Sequence, residues 1–215
     1  MNLEISKAPY LVLIEWEIEE ERLNQAIKIW TENKVSLFFE KSRLYKGLNK
    51  NTLLVLYEVS DFADIQMFLE SEDFKLFVNQ QSQYMKSDFR QSVVGLVEKV
   101  VNRSTLIPNT RYIQLRHIEV PLSDIDRYLE WRRKRIFEFV KKNDKVTSFL
   151  AFHSFFSSEP GVLFVVGFEE NPNVFRNSFL TDEYKEIIKE AGHSHIKNGE
   201  KGLITFEYER VIENG

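Results

Sequence analysis

Two arginines, Arg116 and Arg132, stand at positions where the surrounding pattern is apolar. Arg116 lies in the run Tyr112-Ile-Gln-Leu-Arg-His-Ile-Glu-Val120, where alternate residues share one face of a strand. Arg132 falls at helical spacing on a stripe with Leu129 and Ile136. Burying an unpaired guanidinium is too costly to persist, so each arginine needs a carboxylate, a ligand or water.

The planar fork of a guanidinium suits a carboxylate or another anion. We therefore expect a pocket in the second half of the chain that binds an anionic or polar group, with contacts from both arginines, Gln114 and Tyr128. A structural alternative stays open. Each arginine could instead pair with Glu207 or Glu209, or extend its charged end to the rim of the fold.

Proton transfer near neutral pH would need a histidine or a tyrosine, and His153 and Tyr128 are the candidate catalytic residues. The alternation predicts that His117 faces away from Arg116, towards the other half of the chain. A hydrogen-bonded histidine at an interface is the alternative for both His117 and His153.

The pair His193-Ser-His195 could hold a metal ion if a third ligand converged on it. No partner stands at a suitable spacing, so the expectation is a solvated loop without a metal. The chain has no cysteine, no glycine-rich phosphate loop and no Gly-x-Ser-x-Gly motif. Disulfide, thiolate and P-loop chemistry are therefore not expected.

The elements that position these residues occur twice. An offset of 102 residues pairs Ile14 with Arg116 and Trp30 with Arg132, and each half reads strand, helix, strand, strand, helix, strand. This order predicts an α+β fold with two ferredoxin-like βαββαβ units, at 1–101 and 111–215, joined by a linker at 102–110. Their antiparallel sheets should pack face to face in a pseudo-dimeric barrel, because each sheet has a second apolar face to bury.

Capping signals mark the helices. Ser60 or Asp61, Ser71, Asn171 and Thr181 each precede a predicted helical segment. One helix should run from Ser123 to Lys142, and Gly192 is predicted to end the last helix. In the first half, Trp30, Ile14 and Phe68 should fill the space between helix and sheet that the arginines occupy in the second half.

The segments Phe68-Leu-Glu-Ser-Glu-Asp-Phe-Lys75 and Phe179-Leu-Thr-Asp-Glu-Tyr-Lys185 resemble the dimeric α+β barrel superfamily, in particular antibiotic-biosynthesis-monooxygenase domains and haem-degrading monooxygenases. Such domains are normally homodimers of one unit. The resemblance therefore implies that this chain is a tandem repeat that forms a pseudo-dimer, and it leaves further homodimerisation open.

The haem-degrading members use an Asn, a Trp and a His that do not occur at the matching positions of this chain. Haem turnover by that route is therefore not expected. We also expect no cofactor of another kind. The matching positions hold Ile14, Phe68 and Val78 in the first half and Arg116, Phe179 and Ile188 in the second.

The resemblance implies a small-molecule-binding protein, and if it is an enzyme, a cofactor-independent, monooxygenase-like one acting on a small aromatic or amphipathic anion. Two other classes remain: a non-catalytic ligand-binding or stress-response protein, and a pure interaction module. A formal net charge of −4 gives no nucleic-acid footprint. No apolar run reaches the roughly 18 residues that cross a bilayer, and no signal peptide is recognisable at Met1, so a cytoplasmic protein is expected.

Overall fold

A computed structural model describes residues 4–6, 8–101, 105–157, 159 and 161–211. The predicted segmentation extends beyond these residues at positions 1–3 and 7 of the first repeat, 102–104 of the linker, and 158, 160 and 212–215 of the second repeat. We call residues 1–101 the first repeat and 111–215 the second repeat.

The first repeat forms four strands and three α-helices. Two short 3-10 turns, Glu20–Arg22 and Lys34–Leu37, flank the first helix. The elements are β1 (Tyr10–Glu17), α1 (Leu23–Glu32), β2 (Lys41–Gly47), β3 (Thr52–Val59), α2 (Phe62–Glu70), α3 (Glu72–Gln81) and β4 (Arg90–Val101).

The second repeat follows the same order, with 3-10 turns at Leu122–Asp124 and Gly199–Gly202. Its first helical region is broken into two helices. The elements are β5 (Tyr112–Ile118), α4 (Ile125–Lys134), α5 (Ile136–Lys142), β6 (Ser148–Phe156), β7 (Val162–Phe168), α6 (Pro172–Asn177), α7 (Asp182–Ser194) and β8 (Ile204–Arg210).

The capping predictions are confirmed, and two helix boundaries are corrected. Side chains of Asp61, Ser71, Asn171 and Thr181 each accept a hydrogen bond from a backbone N–H in the first turn that follows. The helix predicted from Ser123 to Lys142 is interrupted at Arg135, whose ψ of −72° departs from helical geometry. The last helix passes through Gly192 and ends at Ser194, because the N–H of His195 still bonds Ala191.

The eight strands close into one barrel in the order β1-β3-β2-β8-β5-β7-β6-β4. Every pair is antiparallel, and two seams, β2 with β8 and β4 with β6, join the repeats. Exchanging each strand for its counterpart in the other repeat returns the same cyclic order. The barrel therefore has pseudo-twofold symmetry, as the repeat predicted.

Alternation along the strands divides the core into three clusters. Leu11, Leu13, Ile113 and Leu115 belong to a cluster that fills the barrel. The intervening residues face outward, where the helices of each repeat cover them in two further clusters. Because side chains alternate with period two, Gln114 and Arg116 share the helix-covered face of β5 with Tyr112 and Ile118.

Candidate functional site

Arg116 is buried, with 6% of its surface exposed, and its guanidinium makes two hydrogen bonds and one cation–π contact. Nε donates to Oε1 of Gln114 at 2.5 Å, and Nη1 donates to the hydroxyl of Tyr184 at 2.9 Å. The guanidinium carbon lies 4.5 Å from the ring centre of Phe179. Hydrogen bonds and a cation–π contact thus hold this arginine in one position.

Gln114 links that arginine to a carboxylate. Its Nε2 donates to Oε1 of Glu207 on β8 at 3.0 Å, and Arg176 lies 3.6 Å from the other oxygen of Glu207. Arg116 is therefore connected to Glu207 through the side-chain amide of Gln114, in place of the direct ion pair that was the structural alternative. Glu209 takes no part, since it pairs with Lys46 and Arg111 at the β2–β8 seam.

Arg132 is more deeply buried, at 1% exposed, and is poorly satisfied. Its Nε and Nη2 have no hydrogen-bond partner among the residues that the structure describes. Glu98, on β4 of the first repeat, approaches Nη2 only to 3.8 Å and is shared with Arg133 at 3.1 Å. Burial lowers the pKa of Arg132, although the neighbouring Tyr128 and Glu98 oppose that effect.

Tyr128 lies one helical turn before Arg132 and is completely buried. The arginine lies 5.6 Å from the Tyr128 ring centre and 5.1 Å from that of Phe137. The two groups are close enough to affect each other's ionisation, but no hydrogen bond of ordinary geometry joins them, and the hydroxyl has no hydrogen-bond partner in the described ranges. Burial raises the pKa of Tyr128, so its hydroxyl stays protonated and can donate.

The two candidate histidines face opposite sides of the barrel wall. His117 points into the barrel, where its ring meets Phe206 edge-on at 6.1 Å, as the alternation predicted. His153 alternates with Phe149 and Ala151 and so lies on the helix-covered face. Burial lowers the pKa of His153, and the charge of Arg132 lowers it further. Its Nδ1 donates to the carbonyl of Ser154 at 3.2 Å.

The prediction of a solvated loop at His193 and His195 is wrong for His195. His193 is exposed near the end of α7, but His195 packs against the rings of Trp131, at 5.0 Å, and Tyr128, at 5.9 Å. Its Nδ1 donates to Oδ2 of Asp124 at 2.6 Å. Among the described residues no group of three His, Cys, Asp or Glu side chains is arranged to hold a metal ion.

Asp124 is nearly buried, and it also forms an ion pair with Arg127. Burial raises the pKa of Asp124, but the hydrogen bond and charge of His195 and the charge of Arg127 outweigh burial, so the pKa is lowered. The sequence carried a partial signal for this arrangement, because Asp124, Tyr128 and Trp131 share one face of a helix. Nothing local pointed to His195.

The first repeat has apolar side chains packed together at the positions where the second repeat has its two buried arginines. Ile14, Trp30 and Phe68 are buried in one apolar cluster, as predicted. Three clefts of about 540, 610 and 350 Å³ lie mainly along the first repeat, and none of them is lined by Arg116, Arg132, Gln114 or Tyr128. A ligand cavity at those four residues therefore stays a prediction.

Comparison with known proteins bears on the fold. No protein-family model matches the sequence, and no curated protein matches it significantly. An anthrone oxidase-like protein superposes with a TM-score of 0.72 at 11% identity, covering 97% of this chain and 94% of that one. A Fusobacterium nucleatum protein provisionally named a monooxygenase gives 0.68 at 12% identity, covering 95% and 93%.

A Listeria monocytogenes ferredoxin-fold protein, described as related to antibiotic biosynthesis monooxygenases, gives a TM-score of 0.52 at 12% identity and covers 99% of both chains. This chain has the dimeric α+β barrel fold, with both repeats in one polypeptide. At these identities the similarity establishes the fold, and the function must be argued from the site. Among the residues that the structure describes, every helix is too short or too polar to cross a lipid bilayer.

Proposed function

We propose that the second repeat binds a small aromatic or amphipathic anion beside α4, with Arg132 as the group that pairs with its charge. One observation carries this proposal: within the described part of the chain, two nitrogens of the buried Arg132 and the neighbouring Tyr128 hydroxyl have no hydrogen-bond partner. Buried donors without acceptors are costly, so a polar occupant would stabilise this region. An anion accepts hydrogen bonds, and each of these three groups can donate one.

Arg116 has a different role in this proposal. Its hydrogen bonds to Gln114 and Tyr184 keep it fixed whether or not a ligand is present. Fixed charges of this kind stabilise negative charge that develops during a reaction without having to reorganise. Phe137, Phe139 and Phe179 supply aromatic surface in the same core cluster, which suits a ring-containing ligand.

The reaction that this arrangement supports best is a cofactor-independent, monooxygenase-like oxidation by dioxygen. A CH₂ group activated by a ring and a carbonyl would lose a proton, and the resulting anion would pass electrons to dioxygen. The CH₂ becomes C=O, and both hydrogens leave with the second oxygen atom as water. Anthrone, the compound in the name of one structural neighbour, has such a CH₂ group and is a suitable first substrate.

Binding is tested by native mass spectrometry and calorimetry with anthrone and with 1-naphthoate, an aromatic anion that lacks the reactive CH₂. Arg132→Leu should weaken binding about 30-fold or more, since losing the partner of a buried charge costs roughly 2 kcal/mol at least. Lys134→Leu is the matched control, because Lys134 lies on the same helix, is exposed and pairs with the exposed Glu130. Equal binding by both variants would refute the site.

A non-catalytic binding protein would use the same contacts. Oxygen uptake separates the two functions: a monooxygenase-like enzyme consumes dioxygen with anthrone and not with 1-naphthoate. A binding protein takes up both compounds and consumes no oxygen.

A further inference from the structure

The contact between His195 and Asp124 has the geometry of a base that is oriented by a carboxylate. Nδ1 lies 2.6 Å from Oδ2, and because an ionised carboxylate only accepts, Nδ1 carries the proton. In the neutral ring the lone pair is then on Nε2. Nε2 has no hydrogen-bond partner within the part of the chain that the structure describes.

We propose that His195 is the proton-accepting residue of the second-repeat site and that Asp124 is its positioning residue. This inference rests on the proposed function. The substrate's C–H proton would pass to Nε2, and Arg132 would stabilise the negative charge left on the substrate. After reaction with dioxygen, the proton would leave in the water that is formed.

The position of His195 favours it as the base. Its ring lies 5.9 Å from the ring of Tyr128, and the guanidinium of Arg132 lies 5.6 Å from the same ring. The proposed base and the proposed anion-binding cation therefore both contact Tyr128. Trp131, which lies on α4, packs against His195 with the two ring centres 5.0 Å apart.

Two features stabilise the imidazolium that forms when His195 accepts a proton. The carboxylate of Asp124 holds a negative charge against Nδ1. His195 also directly follows Ser194, the last residue of the 13-residue helix α7, and a cation is favoured at the negative end of the helix dipole. Asp124, in turn, precedes the first turn of α4, where a negative charge is favoured.

His153 is the weaker candidate for the same role. Its Nδ1 donates to a backbone carbonyl, so no carboxylate supports its protonated form. The nearby charge of Arg132 acts against protonation. The hydrogen bond to the Ser154 carbonyl favours the protonated ring, but burial and the charge of Arg132 outweigh it, so the pKa of His153 is lowered.

Charged groups surround His195 on both elements that pack against it. On the α4 side, Asp124 is shared with Arg127. On α7, Glu190 pairs with Arg135 at 3.0 Å and interacts electrostatically with His195. Any pH profile attributed to His195 must therefore be compared with that of Glu190→Gln, which changes the electrostatics and leaves Asp124 in place.

The first test needs no substrate. Diethyl pyrocarbonate acylates a neutral, accessible imidazole nitrogen, and peptide mass spectrometry maps the product. We expect acylation at His195 that 1-naphthoate suppresses, while the exposed His193 reacts equally with and without 1-naphthoate. An unreactive His195 beside a reactive His193 would show that Nε2 is closed off, and would overturn the proposal.

The second test is oxygen uptake with anthrone. General-base catalysis is worth roughly 10²–10⁴-fold, so His195→Gln should lower kcat by that factor with little change in KM. Asp124→Asn should lower kcat less and should move the rising limb of the pH profile, whereas a purely structural role would leave its position unchanged. Circular dichroism and thermal unfolding confirm that both variants fold.

The outcomes separate the two proposals. If the wild-type protein binds neither compound and neither protects His195, the proposed function fails and the base assignment falls with it. If the wild type binds and oxidises anthrone and His195→Gln does so at an equal rate, the binding site stands and His195 is not the base. If His195→Gln does not fold, the oxidation rate of Asp124→Asn is compared with that of the wild type in its place.

Discussion

Replacing each buried arginine with leucine should affect the stability of the ligand-free protein to different extents. In Arg132→Leu, two unpartnered nitrogens disappear, which relieves about 2 kcal/mol or more. The lost cation–π contacts with Tyr128 and Phe137 cost roughly 1–2 kcal/mol. Glu98 is not stranded, because Arg133 still binds it at 3.1 Å. The free energy of unfolding should therefore fall by no more than about 1 kcal/mol, and it could rise.

Arg116→Leu removes hydrogen bonds that are made. Gln114 and Tyr184 lose a charged partner, and hydrogen bonds to charged groups are worth roughly 1.5–3 kcal/mol each. Arg176 still compensates Glu207, so the expected loss is about 3 kcal/mol and not the sum of the two bonds. Chemical denaturation of both variants beside Lys134→Leu measures the difference. An Arg132→Leu variant as unstable as Arg116→Leu would refute the claim that Nε and Nη2 of Arg132 have no hydrogen-bond partner among the described residues.

Three further outcomes are expected. The pKa of Asp124 is lowered in the folded protein, so its ionised carboxylate stabilises the fold fully above the ordinary pKa of 3.8, and this contribution is lost as the pH falls through the lower folded pKa. Wild type and Asp124→Asn should therefore converge in stability on acidification. A difference that persists at acid pH would contradict this. Haem titration should give no histidine-ligated Soret band and no ring opening with a reductant, because Val78 and Ile188 cannot bind iron; clear turnover would show that the family correspondence is misplaced. Trp30→Ala should lower the free energy of unfolding by roughly 3–5 kcal/mol, because this side chain is buried in the apolar cluster of the first repeat, and a loss below 1 kcal/mol would show that the cluster is loosely packed.

The fold was predictable because its signals are local and occur twice. Alternation along Tyr112–Ile118 places Gln114 and Arg116 on the helix-covered face, and the structure agrees. Capping residues such as Asn171 and Thr181 act on the turn that directly follows them, so nearby sequence is sufficient to identify them. The comparison between repeats identified the two arginines, since Ile14 and Trp30 stand at their counterparts.

The contacts that decide chemistry were less predictable, because they join distant segments. His195 and Asp124 are 71 residues apart, and their contact depends on how α7 docks against α4. Glu98 reaches Arg132 only because β4 of the first repeat pairs with β6 of the second. Periodicity assigns a residue to a face, but the register across a seam and the docking of helices determine its partners.

The central claim is that Arg132 and Tyr128 form part of an anion site. A crystal structure of the protein soaked with 1-naphthoate tests it most directly. We expect the carboxylate within hydrogen-bond distance of Nε or Nη2 of Arg132 and of the Tyr128 hydroxyl, three atoms that have no hydrogen-bond partner among the described residues. Density for ordered water alone at these atoms, or an Arg132 side chain turned to a direct hydrogen bond with Glu98, would contradict the claim.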